Sequence, residues 1–229
     1  MDTTVQEVQQ FKVVKKFAPS AQDDVRRMRF RCASLTQLFM DPMPPDVVHE
    51  TLGKGKRPPP DKTSPIPPRC QKKLCKDQDD NLCIPQDWLF ACLEAGSPNV
   101  KIGKKKMGTA KTSELGSMLT ILESTIKITR NGVPLTDKEG DWKPDVRRGI
   151  GKTGIANAIY RPSIDNYEFE FTVKVNIGQL EGCTEQNIVD LVDTAGRQKG
   201  IGAFRKRFGR FRVVEAELLE PVKGNGSGS

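Results

Sequence analysis

Tyr167-Glu168-Phe169-Glu170-Phe171-Thr172-Val173-Lys174-Val175-Asn176, followed after a short link by Thr184-Glu185-Gln186-Asn187-Ile188-Val189-Asp190-Leu191-Val192-Asp193-Thr194-Ala195-Gly196, is the most regular part of the chain. The first run alternates apolar and polar side chains, which places them on opposite faces of a strand. In the second, Ile188, Val189, Leu191 and Val192 fall on one stripe of a helix over 184–195. Thr184 offers a capping oxygen at its start and Gly196 a stop at its end. Downstream, Phe208 to Leu219 reads as a last long strand.

Upstream, the apolar-rich stretch 119–129 ends in the alternation Thr125-Ile126-Lys127-Ile128-Thr129 and reads as a strand turned by Asn131-Gly132. Pro85 opens a helix over 86–95 that contains Trp88, Leu89, Ala91, Cys92 and Leu93 and ends at Gly96. Arg26-Arg27-Met28-Arg29-Phe30-Arg31-Cys32 alternates basic and apolar residues, a half-buried strand with an arginine outer face. The order strand, helix, strand, strand, helix, strand predicts an α+β chain with the βαββαβ ferredoxin-like, RRM-like arrangement. Two long loop insertions interrupt it, at 34–85 and 130–165. The first carries nine prolines between 41 and 70, a density that argues against any regular element there. Within it, Leu74-Cys75 and Leu82-Cys83-Ile84 flank a polar tip at 76–81 and read as a small hairpin. Residues 1–24 are read as an N-terminal extension, 25–220 as one domain, and 221–229 as a flexible tail outside the fold.

The chain has 229 residues, 37 basic and 29 acidic side chains and one histidine, for a formal charge of +8. No run of about 18 apolar residues suggests a membrane span, the N-terminus lacks a signal pattern, and the expected compartment is the cytoplasm. The six cysteines are expected to stay reduced. Cys70, Cys75 and Cys83 lack a paired CxxC knuckle, so no metal and no cofactor is expected. Gly149-Ile150-Gly151-Lys152-Thr153 imitates a phosphate-binding loop, but the position that needs its first glycine is Val146, and a flexible basic loop is the better reading. With His49 alone in a Pro-rich stretch and no visible cluster of carboxylates, the chain reads as a binding protein rather than an enzyme.

The positive charge is concentrated. Residues 196–212 hold seven basic residues and no acidic one, and Lys101, Lys104, Lys105, Lys106 and Lys111 form a second patch, so the rest of the chain is net −4. A basic loop with glycines and aromatics suits phosphates and stacked bases. Arg205, Lys206, Arg207 and Arg210 are assigned to phosphate, Phe204 to stacking, and Gly200, Gly202 and Gly209 to close backbone approach. Arg161, Arg147, Arg148 and Lys104, Lys105 and Lys106 come second.

The pattern Gly200-Ile201-Gly202-Ala203-Phe204-Arg205, then Phe208-Gly209-Arg210-Phe211, resembles the C-terminal glycine-rich loop of the RAMP superfamily, the RRM-like proteins that form the RNA-binding backbone of class 1 CRISPR effector complexes. It looks closer still to a group of small phage and prophage proteins. In those an Arg-Pro and aromatic strand comes first, here Tyr160-Arg161-Pro162 and Tyr167-Glu168-Phe169. The turn Leu82-Cys83-Ile84-Pro85 into a helix ending at Ala95-Gly96 fits that group too. The resemblance spans roughly residues 26–220 and is patchy outside the C-terminal motif. It implies an RRM-like fold, single-stranded nucleic-acid binding and self-assembly along the strand. The expected function is therefore non-catalytic, cooperative coating of single-stranded DNA, or RNA, in a phage-infected bacterial cell. The alternative is a protein-interaction module, such as a phage inhibitor or component of a CRISPR-type complex.

Overall fold

The computed structural model describes residues 25–42, 65–109, 115–150, 156–205 and 207–219. The expectations for residues 1–24, His49, Lys111, Lys152, Lys206 and the tail lie outside the described residues. In chain order the elements are β1 (Val25–Ser34), β2 (Leu38–Phe39), α1 (Ile66–Gln71), β3 (Cys83–Pro85), α2 (Gln86–Gly96), a 3-10 turn (Ser97–Asn99), β4 (Lys101–Ile102), β5 (Lys105–Lys106), α3 (Leu115–Met118), β6 (Leu119–Ile121), β7 (Thr125–Arg130), β8 (Val133–Pro134), β9 (Lys143–Ile150), β10 (Ala156–Ile164), β11 (Glu168–Asn176), a second 3-10 turn (Ile177–Gln179), α4 (Glu185–Gln198) and β12 (Phe211–Leu219).

The protein is α+β. Its main antiparallel sheet runs β12-β1-β11-β7-β3, with β6 also on β11 and β8 on β7. Counting only the four strands expected from the sequence, the spatial order is fourth, first, third, second. The expected strand at 119–129 is two strands. β6 pairs Ile121 with Val173, and β7 pairs Ile128 with Phe169. Between them the Glu123 carboxylate accepts the Thr172 N–H at 2.8 Å, taking the place of a ladder carbonyl.

α2 and α4 cover one face of this sheet. Leu89, Cys92 and Leu93 from α2 and Ile188, Leu191 and Val192 from α4 are buried in the same core as Phe30, Phe169, Phe171 and Phe211. Phe30 stacks on Phe171 with centroids 5.4 Å apart, and Phe211 meets Phe169 edge-on at 5.1 Å. Thr184 caps α4 as expected, in a reciprocal box with Asn187. The helix runs past Gly196 to Gln198, and a Cβ at Gly196 would sit 2.5 Å from the Phe211 ring. That glycine serves packing and does not stop the helix. Likewise a Cβ at Gly96 would sit 2.5 Å from the Ala195 Cβ, so the two helices meet at their small residues.

The insertions correct the expectation of long loops. β9 and β10 pair over Lys143–Ile150 and Ala156–Ile164, and β2 joins the far side of β10, so the two insertions meet in one three-stranded antiparallel sheet. Arg147 and Arg148 therefore lie on a strand, not in a flexible loop. α1 contacts β9 and β10, and the Arg69 guanidinium lies 4.8 Å from the centre of the Tyr160 ring. The prolines do not forbid α1. Pro67 and Pro68 occupy its first turn, where the missing N–H groups would be unpaired in any case. The lysine-rich stretch after the 3-10 turn is also regular, a two-stranded hairpin of β4 and β5. The hairpin expected near Cys75 is present: the Cys83 N–H donates to the Cys75 carbonyl at 3.0 Å. No helix among the described residues is long and apolar enough to cross a membrane.

Candidate nucleic-acid interface

The loop between α4 and β12 folds back on itself. Gly200, Gly202 and Gly209 have φ of +71°, +73° and +67°, and Phe204 joins them in the left-handed region at +56°. The Ile201 N–H donates to the Gly209 carbonyl, the Ala203 N–H to the Phe39 carbonyl at 2.8 Å, and the Gly209 N–H to the Gln37 carbonyl at 2.7 Å. A Cβ at Gly202 would lie 2.5 Å from the Phe39 oxygen, and one at Gly209 only 1.8 Å from the Ile201 oxygen. A Cβ at Gly200 would stand 2.5 Å from the Phe208 oxygen. The close approach these glycines permit is to the chain's own backbone. This corrects the expectation that Gly200, Gly202 and Gly209 bring the backbone against a ligand, because most of the loop's N–H groups are already spent.

Behind the loop, the accessory sheet supplies a layer of rings and guanidinium groups. Phe39 meets Phe208 at 4.9 Å and Phe204 at 5.9 Å, both edge-on. Arg147 lies 4.5 Å from the Phe39 centroid and 4.4 Å from that of Phe208, while Arg161 covers Phe204 at 4.1 Å. Such contacts contribute roughly 0.5–2 kcal/mol each, more as they lose water. Both cations are also held by carboxylates. Arg147 Nε donates to Asp145 at 2.7 Å, and Arg161 donates from Nε and one NH2 group to Asp41 at 2.8 and 2.6 Å. Lys73 shares Asp41 at 2.8 Å. The Arg161 side chain is only 15% exposed. The structure thus gathers Arg147 and Arg161 beside Phe204, but as a paired and stacked support rather than as open phosphate contacts.

Arg210 is also engaged. Its Nε donates to the Arg197 carbonyl at the end of α4, and its N–H donates to the Thr36 hydroxyl at 2.9 Å. Arg148 is exposed and, by the alternation of β9, faces away from Arg147. Lys104, Lys105 and Lys106 are exposed on the β4–β5 hairpin, beside the opposite end of α4, and do not join this cluster. Phe208 is half-buried and Phe211 belongs to the core. What the loop presents to solvent is Phe204, Arg205 and Arg207. Neither Arg205 nor Arg207 has an acidic partner within 4 Å among the described residues.

Phe39, Asp41, Lys73 and Asp145 are the site residues that the sequence reading missed. Leu38-Phe39-Met40 is an apolar run just ahead of the proline-rich stretch, which was the available signal for Phe39, and the structure buries all three completely.

The open face of the main sheet is the second arginine-rich surface. The β1 register sets Arg31 opposite Glu170 and Glu215 on its two neighbours, and Arg29 opposite Glu217. Arg29 forms an ion pair with Glu217, and Arg31 lies 3.7 Å from Glu215 and 3.9 Å from Glu168. No aromatic side chain stands on this face on β1, β11 or β12. The arginine outer face expected of β1 thus has Arg29 and Arg31 compensated by glutamates of its neighbours.

Burial pushes the Cys75 and Cys92 thiols up to about 12 and that of Cys83 up to about 11, so none is a ready thiolate at neutral pH. Among the described residues no three His, Cys, Asp or Glu side chains stand close enough to hold a metal ion.

No family model matches the chain, and no curated protein matches it in sequence. Among solved structures, it is similar to a chain in the cryo-EM structure of the type III-B Cmr-beta complex bound to cognate target RNA, at 12% identity and a TM-score of 0.46. The alignment covers 86% of this chain and 61% of that one, so the protein spans about three fifths of the length of that subunit.

Proposed function

We propose that this chain is a non-catalytic protein that binds single-stranded nucleic acid at the rim formed by the 199–210 loop and the accessory sheet. One observation carries the reading. An exposed Phe204 ring, backed by Arg161, Phe39 and Phe208, stands beside two exposed arginines, Arg205 and Arg207, that have no acidic partner among the described residues. Free guanidinium groups draw phosphates and release counterions, and a rigid ring offers a face or edge to any base. Arg147 and Arg161 act in this reading by holding the aromatic layer, and Lys206 extends the basic run by sequence. Arg148 flanks the rim from the other face of β9. The strand order fourth, first, third, second is read here as a ferredoxin-like core of one domain over 25–220.

From the resemblance the proposal takes side-by-side copies on the strand and a phage-infected bacterium as the setting; it places DNA ahead of RNA and the protein in the cytoplasm. The test is a mobility shift with nuclease-treated protein and labelled single strands of DNA and RNA, set beside the duplex. Binding of at least one single strand that weakens steeply with salt is expected. Salt-insensitive binding, or none, would remove the proposal, and stoichiometric capture of an acidic protein in its place would favour an interaction module.

A further inference from the structure

The lysine hairpin lies outside the rim and is built rigidly. Val100, Ile102 and Met107 are buried, the Met107 N–H donates to the Val100 carbonyl at 2.9 Å, and the Asn187 side-chain amide donates to the Lys101 carbonyl at 3.3 Å. Lys101, Lys104, Lys105 and Lys106 are all exposed on it. Their only carboxylate neighbour among the described residues is Glu181, 4.0 Å from Lys105, and both partners of that pair are at least 85% exposed. Such a pair leaves the patch essentially uncompensated.

Asn187 marks the N-terminal end of α4, whereas the rim loop leaves its C-terminal end at Lys199. At about 1.5 Å per residue the two anchor points stand about 18 Å apart. A groove of about 470 Å³ lies between α4 and residues 99–101, lined by Asn99, Lys101, Gln186, Asp190, Asp193 and Thr194. Of its two acids only Asp193 has its charge paired, and Asp190 keeps its own. Asp190 accepts from the Gln186 amide at 2.8 Å, and Asp193 accepts from the Val213 N–H at 3.0 Å and pairs with Arg197. At the helix C-terminal end the Asn99 amide donates to Gln198 at 2.6 Å.

We infer that the β4–β5 hairpin is a second phosphate-binding site, separate from the rim, and that one single strand running along α4 engages both. The inference rests on the proposed function. At a stacked rise of about 3.4 Å per nucleotide, the two anchor points on α4 are about five steps apart. A strand of about six nucleotides or more reaches both, and a shorter one reaches only one. Linking the two contacts converts the second into an intramolecular event and raises affinity without any new chemistry.

The experiment is fluorescence anisotropy with a tetranucleotide and a dodecanucleotide of deoxythymidine, on wild type and on Lys104→Ala/Lys105→Ala/Lys106→Ala. Wild type is expected to bind the longer strand about a hundredfold more tightly than the shorter. The triple variant is expected to match wild type on the tetranucleotide, to gain about tenfold or less from the added length, and to keep its melting temperature. Equal length gains in both proteins would overturn the two-site inference. Loss of tetranucleotide binding in the folded triple variant would overturn it too, by placing the lysines in the same site as the rim. Failure of wild type to bind either strand at low salt would instead remove the nucleic-acid reading on which the inference stands.

Discussion

The rim and the open sheet face are both rich in arginine, and they differ in what stands opposite each guanidinium. On the open face Arg29 and Arg31 meet glutamates from β11 and β12, because the antiparallel register sets the charged rows of three strands side by side. At the rim Arg205 and Arg207 emerge from a loop whose backbone is folded inward, and no acidic residue among those described faces them. The lesson is that the number of basic residues sets little by itself. Register and loop geometry decide which charges are left to attract a polyanion.

The largest effect should come from the rim's own folding. Gly209→Ala places a Cβ against the Ile201 oxygen at a φ of +67° and is expected to cost about 3 kcal/mol or more. That lowers the melting temperature by about 6–12 °C for a chain of this size. Gly103→Ala, at the open hairpin tip with φ +58°, should cost only about 1 kcal/mol. Thermal denaturation followed by circular dichroism compares the two. A Gly209 variant that melts like wild type yet loses ligand would return this glycine to the ligand.

Next comes the comparison itself. Arg205→Ala/Arg207→Ala should weaken single-strand binding by about tenfold or more at low salt and flatten the salt dependence by about 1.4 logarithmic units per decade. Arg29→Ala/Arg31→Ala should stay within about twofold of wild type, since those cations are already compensated. Equal losses in both variants would erase the distinction between the surfaces. A smaller effect sharpens it from the other side. Glu215→Gln/Glu217→Gln uncovers Arg29 and Arg31 and should raise non-specific binding at low salt by about twofold, a gain that added salt abolishes.

Stability should also depend on pH. Burial pushes the Cys75 and Cys92 thiols up to about 12 and that of Cys83 up to about 11, from 9.0 for an exposed thiol. The folded state therefore holds these protons longer than the unfolded one. Their contribution is fully present below about pH 9 and is lost as pH rises toward 11–12. Urea denaturation under reducing conditions at pH 8 and pH 10.5 should show lower stability at the higher pH.

The sheet-and-helix core was legible from sequence because its elements carry unbroken periods. Phe169, Phe171, Val173 and Val175 alternate perfectly, and Ile188, Val189, Leu191 and Val192 sit on one stripe. The accessory sheet was not, and β9 shows why. Lys143-Pro144-Asp145-Val146-Arg147-Arg148-Gly149-Ile150 buries no fully apolar row, since one face packs through Asp145 and Arg147 against rings supplied by other segments. Partners so distant in sequence leave no local signature. The same holds within the rim. The Gly200, Gly202 and Gly209 pattern announced an unusual backbone, but not that Gln37 and Phe39 would be what it approaches. The structure brings Arg161 and Arg147 beside Phe204, while their partners Asp41 and Asp145 lie in stretches that read as loop.

The most direct test of the central claim is photocrosslinking of the protein to a single strand substituted with bromodeoxyuridine, with the attached peptides identified by mass spectrometry. The account predicts adducts in the 199–210 loop, Phe204 foremost, and none on Arg27, Arg29, Arg31, Glu170, Lys174 or Glu217. Adducts concentrated on the open sheet face, with the loop unmarked, would contradict it.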